Sequence, residues 1–438
     1  MSTTALAPAA PPVLPRTAEP TLAAVHQLRP RPSAPATLAL VSDGLVCPLE
    51  SGAEVEYANL DHGASTSAFV AVKAAVDEAS LTYSSVHRGN GYASRVTSAR
   101  YEQAREVVAR FVGARADDHV IFTRNTTDSF NLLASVVPQD AQVFVFGSDH
   151  HATILPWRAE QLVRLPVPAS PAEAVSVVDA ALRTSRAAEA LVVVTGASNV
   201  TGEYWPVAQI AAVARRHGAR VALDAAQLVQ HRAVDLALEE LDYVAFSGHK
   251  IYAPYGAGVL VGRSDWLDAA EPYLAGGGAT AAVSDEDTTW QIGPARHEAG
   301  SPNVLGAVAL AVACEVVAEH REAIAELDET LGRGLVSRLD AIPGVQTHSI
   351  FGPTHDRAPV VTFTVEGRSA QEVSRRLSDE HGIGVRDGRF CAHVLVDALL
   401  ARQGSGSTSA VRASLGLANS PEHVDRLVAA VRSLAPRG

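Results

Sequence analysis

The sequence predicts an α/β fold: a large domain around a mainly parallel sheet, followed by a smaller α+β domain. Three observations carry this. Apolar runs of strand length recur between positions 120 and 261, most of them bounded by Gly, Asn, Asp or Ser. The runs are continuously apolar, as strands buried on both faces are. Helical patterns lie between several of them, and that alternation builds a parallel sheet.

Taken in order, Met1 to about Thr37 is rich in Ala and Pro and predicts a disordered tail over 1–38. It lacks a basic start followed by an apolar core, so it does not read as a secretory signal. Helical spacing covers 68–79 and 98–112; in the second, Tyr101, Ala104, Val108 and Phe111 share one face. Strands are expected at 120–123, 143–146, 191–195, 221–224, 243–246 and 258–261, with a helix at 207–217. Gly276-Gly277-Gly278 interrupts the pattern, and a long helical region runs over about 304–339. Then come a strand at 360–365, a helix at 370–381, a loop around Cys391 and a last helix at 421–434. The domain division this suggests is 39–310 and 311–438.

Composition narrows the function. The 438 residues are 47% hydrophobic and 19% charged, enough apolar material for a large core. A net charge of −12 disfavours nucleic acid and anionic membranes, which select basic surfaces. No apolar stretch approaches the roughly 20 residues of a membrane span. Three cysteines, Cys47, Cys314 and Cys391, form no disulfide framework and suit a reducing, cytoplasmic compartment.

The chemistry concentrates where strands end. Leu223-Asp224-Ala225-Ala226-Gln227 and Phe246-Ser247-Gly248-His249-Lys250 each run from a buried-type strand into polar residues, where open α/β sheets bind ligands. A lysine amine forms an imine with an aldehyde cofactor, and an aspartate can pair with a protonated pyridine nitrogen. Singly, Asp224 reads equally as a helix cap and Lys250 as a surface lysine. Two further segments shift the balance. Arg124-Asn125-Thr126-Thr127-Asp128 offers hydroxyls and a helix start to phosphate, and Gly147-Ser148-Asp149-His150-His151 offers an imidazole to a ring.

Together these segments resemble the class V aminotransferase family of fold-type I pyridoxal-phosphate enzymes, and within it the cysteine desulfurase and selenocysteine lyase branch. The likeness runs from Asn59 to about Leu427 and includes Leu60–Ser65, Val86–Gly89, Ala197–Gly202, Thr288–Trp290, His297–Asn303 and Val411–Leu415. It implies pyridoxal 5'-phosphate held as a Schiff base by Lys250, the proton shuttle. It also implies Asp224 on the pyridine nitrogen, Gln227 on the phenolate oxygen and His150 over the ring. Thr126, Thr127, Ser247 and His249 would hold the phosphate. Ser301 would reach it from the neighbouring subunit of a homodimer with shared sites. Ala64, Asn199, Arg386 and Arg412 would meet an amino-acid substrate, arginine suiting its carboxylate through bidentate bonding. No metal is implied.

Cys391 decides the reaction. It aligns with the loop that carries the desulfurase nucleophile, and nearby arginines favour a thiolate. The implied chemistry is sulfur release from a cysteine-like amino acid through a persulfide on Cys391, with a sulfur-acceptor protein downstream. The family's two histidines before the cysteine and its Ala-Met-Pro after it are replaced here by Arg389-Phe390 and Ala392-His393-Val394. Cys391 therefore reads equally as an inert loop residue in a relative with another reaction. The alternatives are a C–S lyase on a substituted cysteine, an epimerase or aminotransferase, and a non-catalytic regulatory protein that retains the cofactor.

Overall fold

Valine- and leucine-rich runs have β propensity and no polar face. In the computed structural model they form a seven-stranded sheet, ordered Asp118–Thr123, Gly258–Arg263, Tyr243–Ser247, Arg220–Asp224, Ala190–Thr195, Gln142–Phe146, Leu162–Leu165. The structure describes residues 38–436. The expected tail lies outside the described residues, apart from Leu38. Among the described residues no helix is long and apolar enough to cross a membrane.

The sheet is parallel except at one strand. Gly258–Arg263 runs antiparallel to both neighbours, with Gly258 opposite Ser247 on one side and Thr123 on the other. The other strands point the same way, so Thr123, Phe146, Thr195, Asp224 and Ser247 finish along one edge. Their interiors are sealed: Leu191, Val192, Val193 and Val194 have no exposed surface. Truncating one of the larger buried side chains there, such as Leu191 to Ala, costs about 2–5 kcal/mol.

Helix Val304–Glu319 is apolar on nearly every side and packs against Val70–Ser80 and Tyr92–Phe111, as an all-round hydrophobic helix must. The second of these begins at Tyr92, before the expected 98. Its first turns look polar in sequence, but Ser94 and Thr97 are buried and their hydroxyls donate to the carbonyls of Ser85 and Thr82. The long helical region expected over about 304–339 is three helices. His320 leaves helical angles, Arg321–Gly332 follows, and Gly334 at φ 67° turns the chain into Leu335–Asp340. Such a left-handed residue is easy for glycine and ends a helix.

A second, antiparallel sheet orders Val345–His348, Val360–Val365, Ala410–Ser414 and Arg386–Gly388. Its core, with Leu377, Val411, Leu427 and Val431, also takes in Ala58 and Leu60 from far earlier in the chain. Ala58–Asn59 pairs in parallel with Ile383–Gly384 and anchors that early segment. Where only a loop was expected around Cys391, the loop is short and a helix, His393–Arg402, follows directly.

Candidate active site

The strand ends surround one cavity of about 260 Å³. At one end, Asn125 caps helix Thr126–Val136, its side chain accepting the Asp128 N–H at 3.0 Å. The Thr126 N–H donates to the Ser247 hydroxyl at 2.8 Å, and the two hydroxyls lie 2.7 Å apart. Gly258 makes this approach feasible: a Cβ there would lie 2.6 Å from the Asn125 Cα. Backbone N–H groups and hydroxyls at a helix start form an anion cradle.

Lys250 closes a short 3-10 turn after the Tyr243–Ser247 strand. Burial pushes its amine down to about 8, against an upward pull from Asp224 and a further push down from Arg412. Burial pushes the Asp224 carboxyl up, while the Ala226 N–H, donating at 3.0 Å, and Lys250 lower it. Burial and the charge of Lys250 hold His150 down at about 3, so it is neutral. Its Nδ1 accepts the Ala152 N–H at 3.0 Å, which leaves the proton on Nε2. His249 is likewise held neutral by burial, at about 4. The Gln227 amide donates to the Gly63 carbonyl.

The opposite wall comes from the second sheet. Arg386 and Arg412 stand directly across from each other on paired strands, and both line the cavity. Arg412 is buried; its Nη1 donates to the Asn199 carbonyl at 2.8 Å and its Nη2 to Asp61 at 2.9 Å. Its Nε is buried with no hydrogen-bond partner, a donor in place for an arriving acceptor. Arg389, expected near the thiol, is held instead by Asp397 at 2.5 Å and the Thr408 carbonyl.

Cys391 is exposed and sits on a strained turn. Phe390 and Cys391 adopt φ of 52° and 53°. Left-handed geometry costs roughly 1–2 kcal/mol for each non-glycine residue, so neighbours must hold it. The Asn199 amide donates to the Phe390 carbonyl at 2.7 Å, and the His151 N–H to the Cys391 carbonyl at 2.8 Å. The Phe390 ring is buried, with the Arg412 guanidinium 5.3 Å from its centre.

Every site residue expected from the sequence except Ser301 lines this cavity: Ala64, Thr126, Thr127, His150, Asn199, Asp224, Gln227, Ser247, His249, Lys250, Arg386, Cys391 and Arg412. Ser301 lies in a separate hollow with Tyr101, Arg124 and Tyr273. Sequence reasoning missed Thr195 and Ala197 in the lining. It also missed Asp149 behind them, which accepts the Thr195 hydroxyl at 3.0 Å. Both lining residues carried a signal: Thr195 ends an expected strand, and Ala197 opens a segment of the family likeness. Phe390, a departure from the family's loop expected to change the pocket wall where a substrate side chain would sit, does line the cavity.

A parallel-rich sheet whose strand ends carry a half-buried lysine, a buried aspartate and an anion cradle defines an α/β enzyme of the fold-type I class. Solved structures share that fold. The cysteine desulfurase of Thermococcus onnurineus NA1 superposes with a TM-score of 0.78 at 30% identity, over 87% of this chain and 95% of that one. A cysteine desulfurase of Escherichia coli, in an S-sulfonic acid form, gives 0.75 at 30% identity over 87% and 96%. Among sequences, a cysteine desulfurase of Klebsiella pneumoniae is 36% identical over 80% of this chain and 86% of its own length. One from Cronobacter sakazakii is 35% identical over 79% and 85%. The pattern of the aminotransferase class-V family matches residues 58–427. The chain belongs to that family.

Proposed function

We propose that the protein is a pyridoxal-phosphate-dependent cysteine desulfurase that moves sulfur from an amino acid onto Cys391. The observation that carries this reading is an exposed thiol on a clamped turn, lining the same cavity as Lys250 and the buried Arg412. The similarity to cysteine desulfurases supports it.

The cavity fits the cofactor. A lone carboxylate at buried Asp224 is costly, and a cationic ring nitrogen beside it would relieve that cost. Thr126, Thr127, Ser247 and His249 would hold the phosphate, Gln227 the phenolate oxygen, His150 a ring face and Lys250 the aldehyde carbon. When bound, pyridoxal 5'-phosphate supplies an electron sink for the pair left at a substrate's α-carbon.

Arg412 would seat the substrate carboxylate through its unpartnered Nε, beside Asn199 and Arg386. Lys250, with a depressed pKa, is partly neutral at physiological pH and able to take the α-proton. Neutral His150 keeps a donor at Nε2. The Cys391 thiolate would then attack the substrate sulfur. An S–S bond forms, the C–S bond breaks, and its electron pair stays on carbon, which gains a proton. Enzyme thiol plus cysteine thus become enzyme persulfide plus alanine. The persulfide would pass to a sulfur-acceptor protein. Ser301 lies outside its own chain's cavity, as a residue serving a homodimer partner's phosphate would.

The test is the mass of the Cys391 peptide after L-cysteine, which should gain one sulfur atom. Full sulfur release by Cys391→Ala would overturn the reading. The apolar wall added by Phe390 favours one second reading, C–S cleavage of a substituted cysteine. Pyruvate from S-alkyl cysteines, undiminished in Cys391→Ala, would select it.

A further inference from the structure

We propose that Phe390 is a positioning residue that couples capture of the substrate carboxylate to presentation of the Cys391 thiol. This rests on the reading of the site given above. The two groups assigned to the carboxylate both touch Phe390. The Asn199 amide holds its carbonyl at 2.7 Å, and the Arg412 guanidinium lies over its ring, 5.3 Å from the centre. The same two groups touch each other, since Arg412 Nη1 donates to the Asn199 carbonyl at 2.8 Å. They form a closed triangle, and Phe390 is the corner that continues into Cys391.

The backbone makes that corner sensitive. Phe390 and Cys391 are consecutive non-glycine residues at positive φ. A bulky residue stays there only while its surroundings hold it. The ring is buried at 8% exposure, so it cannot swing out without opening the core beside Arg412. On the far side the Cys391 carbonyl is fixed by the His151 N–H. A carboxylate arriving at Arg412 draws on the guanidinium charge that now faces the ring. Through the ring, the change in Arg412 reaches the turn and moves the thiol between two exposures. The histidine that the family carries at this position would offer an imidazole that titrates; phenylalanine makes the coupling one of packing and charge–quadrupole attraction.

The experiment uses the cofactor-loaded protein. Alkylation of Cys391 by iodoacetamide is followed by peptide mass, with and without L-alanine, a carboxylate ligand that carries no sulfur. Cys314 is buried and Cys47 partly so, which leaves Cys391 as the exposed thiol among the described residues. In the parent chain L-alanine should change the alkylation rate several-fold. In Phe390→Ala that response should vanish. Should Phe390→Ala fold poorly, Phe390→Leu keeps the buried volume, removes the ring face and should also lose the response. The proposal is overturned if L-alanine leaves parent alkylation unchanged, or alters it as strongly in the variants as in the parent. A purely structural Phe390 would lower the melting temperature and leave the response intact. Absence of persulfide with the coupling intact would sink the desulfurase reading alone.

Discussion

The main-chain N–H of His151 donates to the main-chain carbonyl of Cys391 across 2.8 Å. It ties the turn after the Gln142–Phe146 strand to the thiol-bearing turn that follows Arg386–Gly388 of the second sheet. His151 is also the first residue of its short helix, and His150 before it is extended, at φ −65° and ψ 148°. Proline is at home at such a position and tolerates such a predecessor. His151→Pro should therefore keep the helix and remove only the donor to Cys391 and the imidazole. His151→Ala controls for the imidazole. Sulfur release should fall about two- to tenfold in the proline variant, the value of one hydrogen bond, with little change in the alanine variant. Equal rates in the two would show that the tie is idle.

The depressed pKa of Lys250, about 8, sets a limb on cofactor uptake. Only the neutral amine captures an aldehyde. Uptake by the cofactor-free protein should rise about tenfold per pH unit below 8 and level off above it. Stopped-flow absorbance would follow it. Lys250→Ala should retain no cofactor after borohydride reduction. A limb near 10 instead would mean that burial does not depress the amine.

Asp149 gives a stability signature. Burial pushes its carboxyl up to about 8, while the Thr195 hydroxyl and Phe146 N–H pull it down. The unfolded value is about 3.9. Between those values the folded chain binds a proton that the unfolded chain has released. The contribution is fully present below about pH 4 and is lost as pH rises to about 8. Asp149→Asn can still accept the Phe146 N–H and donate to Thr195, with no proton to lose. The melting temperature of the parent should drop relative to this variant by a few degrees from pH 5 to 8. Parallel curves would mean that Asp149 is ionised in the fold throughout.

Much of the site was legible because strand ends are. Asp224 and Ser247 follow uninterrupted apolar runs, and a ligand edge could be placed from sequence alone. Lys250 and Arg412 needed the family likeness, since one lysine after a turn looks like any other. The reversed strand at Gly258–Arg263 was invisible, because a buried strand has the same apolar composition in either direction. The breaks at His320 and Gly334 were hidden within a continuous helical pattern. The Asn199–Phe390 bond joins residues 191 apart in sequence. Neither residue type announces such a contact, and positive φ at Phe390 contradicts what its side chain prefers.

The parallel pairing of Ala58–Asn59 with Ile383–Gly384 also sets an order in time. Chains leave the ribosome at about 5–20 residues per second, and their early domains fold first. On the order of tens of seconds therefore separates the emergence of Ala58 from that of its partner. Through that interval Asp61, three residues on, has no Arg412 to receive. The lysine half of the cavity can be finished while the half that holds Arg412 is still being made. A growing chain would thus remain silent until the strands around Arg412 close over a segment translated long before them.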